Sequence, residues 1–300
     1  AARAAARDRG RTDRPDVDPE LLEAVEAVLR DPGRTPPARE AADRFQQLSA
    51  PVAAKGVEDT AFYRYHRMPA LAEVGGDPGR WSLGAEAFHD RVRRRAARWP
   101  HAMLAGTTHD AKRSEDVRAR FAVLTVMHET WGERLRAWHA ACRGLGPEVD
   151  PLDVHLLLHV LVGAWPIDGE RLRGYMTKAV RESKRRTSWR EPDAAYEAAV
   201  TGLVDALLGD ETVRSEVEAF VDRVRRPGRV ASLVMATLRL AGPGVPDTYQ
   251  GGEGWDHSLV DPDNRRPVDR PARARLAARV RDGVDAAALD ASLDDPDDPG

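Results

Sequence analysis

The amino-acid sequence predicts a helix-rich α/β protein built from parallel β/α units. Three short apolar segments read as strands: Ala50-Pro51-Val52-Ala53-Ala54, His101-Ala102-Met103-Leu104-Ala105-Gly106, and the middle of Pro243-Gly244-Val245-Pro246-Asp247-Thr248-Tyr249-Gln250-Gly251. Each ends in a polar cluster, and helical periodicity fills the intervals. That is the pattern of parallel β/α units, whose functional residues gather at the strands' C-terminal ends. Three strands cannot close a barrel of eight. The chain is therefore either a small open sheet or part of a larger barrel.

The elements follow in order. Residues 1–16 are polar and Arg-rich, and are expected to be flexible. Asp18 as N-cap and Pro19 at the first helical position open a helix. Leu21, Leu22, Val25, Val28 and Leu29 form its apolar stripe, and Asp31-Pro32-Gly33 stops it. A second helix is predicted from Pro37 to Leu48, just before the first strand. Trp81-Ser82-Leu83 leads into a helix with Phe88 and Val92 on one face; the basic stripe from Arg91 to Arg95 reads as its solvated face. From Ser114 to about Arg239 the pattern predicts helices only. Breaks are expected at Gly144-Leu145-Gly146-Pro147, Trp165-Pro166, Glu191-Pro192 and Pro227-Gly228. Val154, Leu157, Leu158 and Leu161 make one core stripe; Val213, Val217, Phe220, Val221 and Val224 make another. A last helix is expected from about Pro271 to Asp282, followed by an acidic linker over 286–300.

Composition narrows the function classes. A chain of 300 residues with 42% hydrophobic and 32% charged content can bury a substantial core. A net charge of −3 gives no electrostatic case for nucleic acid or an anionic membrane as partner. No apolar run approaches the ~20 residues of a membrane helix. The lone Cys142 excludes an intrachain disulfide and fits a reducing, cytoplasmic setting. No apolar segment at the start reads as a secretory signal. The first residue, Ala1, and the acidic, Pro-rich end from Asp294 to Gly300 do not read as natural termini, so a fragment is expected. Of 46 basic residues only Lys55, Lys112, Lys178 and Lys184 are lysine. Retention of an ammonium in an arginine-biased chain hints at tight sites, because the two side chains are not interchangeable.

The most informative cluster follows the second strand: Thr107-Thr108-His109-Asp110-Ala111-Lys112-Arg113-Ser114-Glu115-Asp116. Ser114 reads as an N-cap, and Glu115 and Asp116 suit a helix's first turn. His109-Asp110 precedes the cap, on the strand end itself. Such a pair is either structural or part of a sugar or metal site. Metal-ligand spacing is absent, so no metal is expected.

Thr-His-Asp after a strand is similar to the fourth sequence region of the α-amylase superfamily. The longer run from Thr107 to Arg120 resembles the maltooligosyltrehalose synthases, which usually carry Thr where this chain has Ala111. The same family is resembled by Ala54-Lys55-Gly56-Val57-Glu58-Asp59-Thr60-Ala61-Phe62-Tyr63-Arg64-Tyr65, Arg98-Trp99-Pro100, Gly163-Ala164-Trp165-Pro166, Tyr175-Met176-Thr177-Lys178-Ala179, Thr187-Ser188-Trp189 and Asp261-Pro262-Asp263-Asn264-Arg265-Arg266-Pro267-Val268-Asp269. Pro243 to Glu253 resembles the superfamily's eighth-strand signature. The matches run in order from about Arg44 to Arg270.

The resemblance implies a partial (β/α)8 barrel, strands six to eight, with a large all-helical insertion between the last two. On that reading 1–43 is a helical lead-in and 44–113 holds barrel units six and seven. Residues 114–240 form the insertion, and 241–285 form the eighth strand, loop and helix. The implied reaction converts the reducing-end α-1,4 linkage of a maltooligosaccharide to an α,α-1,1 linkage by intramolecular transglycosylation with retention, without a cofactor. The nucleophile on strand four and the acid/base on strand five are expected outside this chain, so the missing part of the barrel is required for activity. Asp110 matches the third catalytic carboxylate, and His109 matches a histidine bound to the same sugar.

Further expected substrate contacts are Lys55, Glu58, Asp59, Tyr63, Lys112, Arg113, Lys184, Tyr249, Gln250, Glu253, Asp263, Asn264 and Arg265. For several of these the residues leave two readings open. Lys55, Glu58 and Asp59 either fix their loop or meet a sugar. Tyr63 either stacks on a pyranose or fills the core. Glu253 either fixes its loop or joins the site. A hydrolase of the same superfamily would share Asp110. A helical carbohydrate- or protein-binding module would scatter these clusters over its surface.

Overall fold

The structure, a computed structural model, describes residues 17–33, 35–146 and 148–295 and divides into two units, Ala1–Val57 and Glu58–Gly300. The expected flexible run at 1–16 lies outside the described residues, as do 296–300 of the expected linker.

The first unit is a pair of helices. Helix α1, Pro19–Arg30, is capped by Asp18, whose carboxylate accepts the Glu20 N–H at 2.8 Å. Helix α2, Pro36–Ala53, is capped by Thr35, and a π-helical turn, Ala54–Glu58, follows it. The strand expected at Ala50–Ala54 is therefore helical, and Val52 is exposed. The reason is local. An alanine-rich run that continues a helix satisfies its own backbone, Ala54 N–H reaching the Ala50 carbonyl. A strand there needs a neighbour, and the sheet among the described residues consists of the other two strands alone.

In the second unit, a loop with short 3₁₀ turns at Ala61–Tyr63 and Pro69–Leu71 precedes α3, Ala85–Arg98. Strand β1, Met103–Ala105, follows. Then come α4 Glu115–Val126, α5 His128–Leu145, α6 Pro151–Ala164, α7 Gly169–Ser183, α8 Ala194–Gly209 and α9 Glu211–Ala241. Strand β2, Val245–Asp247, the 3₁₀ turn Asp263–Arg265, α10 Arg270–Asp282 and α11 Ala286–Ser292 complete it. β1 and β2 pair in parallel, Met103 opposite Val245 and Ala105 opposite Asp247. Parallel neighbours need a crossover, and the helices α4–α9 provide a long one. Gly244 makes the close approach possible: its φ is +137°, and a Cβ there would sit 2.7 Å from the Ala102 carbonyl oxygen. The expected strands are less buried than their apolar character suggests, because each has one partner and an open edge; Met103 is 69% exposed.

The core lies among the helices. Asp150, Asp168, Asp193 and Asp210 cap α6, α7, α8 and α9 through their carboxylates. Helix α6 is buried nearly all round, its Val154, Leu157, Leu158 and Leu161 stripe meeting Val217, Phe220 and Val224 of α9 and the Trp131–Trp138 pair of α5 in one cluster. The break expected at Pro227-Gly228 does not occur: α9 passes through it. α9 packs along α4 there, and Gly228 lets it approach Arg120, whose Cγ would lie 3.0 Å from an added Cβ. Packing outweighs the lost backbone hydrogen bond. Two breaks absent from the pattern appear at Met127 and Asp210. The start of the expected acidic linker is helix α11, capped by Asp285 and tied to α9 by Arg226–Asp290 at 2.5 Å. No helix among the described residues is long and apolar enough to cross a membrane.

Candidate functional site

The loop that leaves β1 is shaped by two threonines and a serine. Thr108 Oγ1 accepts the N–H groups of Asp110 at 3.2 Å and Ala111 at 3.0 Å. That turn leaves His109 and Asp110 exposed at the strand's end. Thr107 Oγ1 accepts Glu115 N–H at 3.0 Å, and Ser114 caps α4.

Behind the exposed pair the chain goes straight inside. Lys112 and Arg113 are 1% and 2% exposed. Glu73, from the loop before α3, accepts both of their backbone N–H groups, at 2.7 and 3.1 Å. The Arg113 guanidinium donates to the Pro69 and Ala72 carbonyls and to Tyr175 Oη at 2.8 Å. Lys112 Nζ donates to Asp59 Oδ1 at 2.7 Å and lies 3.6 Å from Asp110 Oδ1. Burial opposes the charge on Lys112, but the hydrogen bond and charge of Asp59, with Asp110 and Glu73, overcome it and raise the ammonium above its ordinary range.

Two further segments close on this loop. From α7's end, Lys184 Nζ donates to Thr60 Oγ1 and to the Asp59 carbonyl, and Arg64 donates to the Ser183 and Lys184 carbonyls. From the segment after β2, Asn264 Nδ2 donates to the His109 carbonyl at 3.3 Å, and Tyr249 Oη donates to the Asn264 carbonyl at 2.9 Å. Gln250 donates to Tyr249 Oη at 3.4 Å. Val260 N–H meets the Lys112 carbonyl, while Tyr63 Oη and Lys178 Nζ donate to the Val260 carbonyl.

No protein-family model matches the chain. Over 248 residues it is 43% identical to a putative maltooligosyl trehalose synthase of Mycobacterium tuberculosis (strain H37Rv), an alignment covering 80% of this chain and 32% of that protein. Its fold is similar to that of a maltooligosyltrehalose synthase from Arthrobacter ramosus, with a TM-score of 0.83 and 43% identity over 96% of this chain and 37% of the other. A hypothetical maltooligosyl trehalose synthase of Sulfolobus tokodaii matches with a TM-score of 0.66 and 34% identity, over 72% of this chain and 31% of its own. The chain is homologous to the maltooligosyltrehalose synthases. It spans about a third of the length of the curated relatives it matches, whose alignments cover 32% of them.

Within this segment the structure gathers most of the expected residues and leaves some apart. His109, Asp110, Lys112, Arg113, Asp59, Tyr63, Lys184, Tyr249, Gln250 and Asn264 are joined by the contacts above. Five residues that the resemblance assigns to substrate are buried with protein partners: Asp59, Lys112, Arg113, Tyr63 and Asp263. Tyr63 fills the core, and burial pushes its phenol well above its ordinary value. Asp263 receives both forks of Arg171, at 2.9 and 2.7 Å, and the Leu259 N–H at 2.9 Å. Glu58 accepts Gly75 N–H at 3.2 Å, a loop-fixing bond, and Glu253 lies 3.7 Å from Arg273. Arg265 is exposed, and Lys55 lies in the first unit. The sequence carried no signal for Glu73, which sits in an irregular loop. Arg171 stood in a helix with nothing to mark it.

Proposed function

We propose that the chain forms part of an enzyme converting the reducing-end α-1,4 linkage of a maltooligosaccharide to an α,α-1,1 linkage by intramolecular transglycosylation, in the cytoplasm. The observation that carries this reading is the 43% identity to a maltooligosyl trehalose synthase over 248 residues. On this reading β1 and β2 are adjacent strands, seven and eight, of a (β/α)8 barrel. The remaining strands and the nucleophile and acid/base of the retaining pair belong to the rest of the protein. This chain by itself is then inactive.

Asp110 is the catalytic group that the chain supplies. A carboxylate at a strand's C-terminal end stands where barrel enzymes act. It accepts charge-assisted hydrogen bonds from sugar hydroxyls. Those bonds strengthen as the ring flattens and gains positive charge, which favours the transition state over the ground state. His109 adds a donor to the same sugar. The helices α4–α9 exclude water that would otherwise hydrolyse the glycosyl intermediate.

The test is to express the complete polypeptide containing this segment and incubate it with maltopentaose. Loss of reducing ends without shorter products supports the synthase reading. Release of glucose and shorter maltooligosaccharides would instead identify a hydrolase.

A further inference from the structure

Lys184 holds an unusual backbone position. It follows the last residue of α7 with φ of 53°, and among the described residues it is the one non-glycine residue with positive φ. Helices often end on such a left-handed residue, but it is usually glycine, because a side chain there is strained. Strain kept at one position asks what the side chain does.

The side chain bridges two segments. Its Nζ meets Thr60 Oγ1, the Asp59 carbonyl at 3.4 Å and the Glu182 carbonyl at 3.4 Å, with the Glu182 carboxylate at 3.9 Å. The ammonium thus pins the 59–60 backbone against the end of α7, where a positive charge is also favoured by the helix dipole. Arg64 ties the same turn from the other side through the Ser183 and Lys184 carbonyls. Asp59, so fixed, accepts from Lys112 at 2.7 Å, and Lys112 lies 3.6 Å from Asp110. Lys112 has little room to drift, since Glu73 holds its backbone N–H at 2.7 Å.

We propose that Lys184, Asp59 and Lys112 are positioning residues, a relay that sets the place of Asp110 from the helical part of the protein without touching substrate themselves. The proposal rests on the reading of Asp110 as catalytic. It assigns these three residues a different task from the direct sugar contact that the sequence suggests. It also gives the helices beyond β1 a part in the chemistry at the end of β1: a shift of α7's end would be felt at Asp110.

The deciding variant is Lys184→Gly in the complete synthase. Glycine takes the left-handed backbone without strain, so the fold is kept while the ammonium is lost. We expect kcat to fall roughly tenfold to a hundredfold, the scale of loss for a misplacement of about 1 Å. KM should change much less, and the melting temperature should hold or rise. A second variant, Asp59→Asn with Lys112→Gln, keeps a neutral hydrogen-bonded pair and should show the same split between kcat and KM. Asp110→Asn is measured alongside. If it is inactive while Lys184→Gly and the neutral pair turn over normally, the relay is overturned and the catalytic reading stands. If Asp110→Asn itself turns over normally, the catalytic reading fails and the relay with it.

Discussion

Lys112 donates to Asp59 across 2.7 Å with both residues buried, joining the loop after β1 to the loop before α3. A buried ion pair is weak evidence of net stabilisation, but removing one partner leaves the other charge unmatched inside the protein. Lys112→Met is therefore expected to destabilise the second unit by about 3–5 kcal/mol, read as a lower urea midpoint. The pH dependence has a definite sign. The folded-state value of Lys112 is raised, so its contribution is fully present below the ordinary lysine value of 10.5 and lost as pH rises above it. Unchanged stability in the Met variant at neutral pH would show that the pair is not held as described.

A second prediction concerns acid. The rings of His155 and His159 on α6 lie 4.5 Å apart, tilted at 47°, and burial lowers the two imidazoles to about 4 and about 3. The unfolded chain binds protons at these positions near 6.5, so stability falls as pH drops from 6.5 towards 4. The melting temperature should decline through that window, and His159→Gln should flatten the decline. A melting temperature that is level from 6.5 to 4 would contradict the buried neutral pair.

Arg171 offers a test of the segment after β2. Its fork grips buried Asp263 at 2.9 and 2.7 Å and donates to the His257 carbonyl at 3.1 Å. Arg171→Ala is expected to cost about 3–5 kcal/mol by stranding a buried carboxylate. Arg171→Lys should recover only part, since an ammonium cannot make the paired contact. Full recovery by lysine, in the same urea titration, would show that the fork geometry is unimportant.

Cys142 is 4% exposed, and burial pushes its thiol up to about 11. At pH 8 it should react with iodoacetamide only as fast as the protein opens, so modification should track unfolding in urea. Rapid labelling of the native protein would contradict its burial.

These residues also show what could be read from the chain alone. β1 and β2 are legible because each is an apolar run stopped by a polar cluster, and so is the place of Asp110 in the exposed loop after β1. Ala50–Ala54 misled, since alanine-rich apolar runs suit a helix as well as a buried strand, and only a neighbouring strand decides. Pro227 misled because a proline is tolerated in a helix whose packing outweighs one lost hydrogen bond. The hub around Lys112 was hidden for another reason. Its partners Asp59 and Glu73 lie 53 and 39 residues away, and no local pattern marks a contact the fold alone creates.

The proposed role of Asp110 is in catalysis and not in folding. Its carboxylate is 52% exposed, with the Lys112 ammonium 3.6 Å away. A surface carboxylate so placed can lose its charge without a large structural cost. The deciding measurement is Asp110→Asn in the complete polypeptide containing this segment, with kcat for the proposed reaction and melting temperature taken on one preparation. The expected result is a kcat lower by ~100-fold or more, as for loss of one preorganised electrostatic group, with the melting temperature unchanged. A normal kcat in a protein with a lowered melting temperature would contradict it.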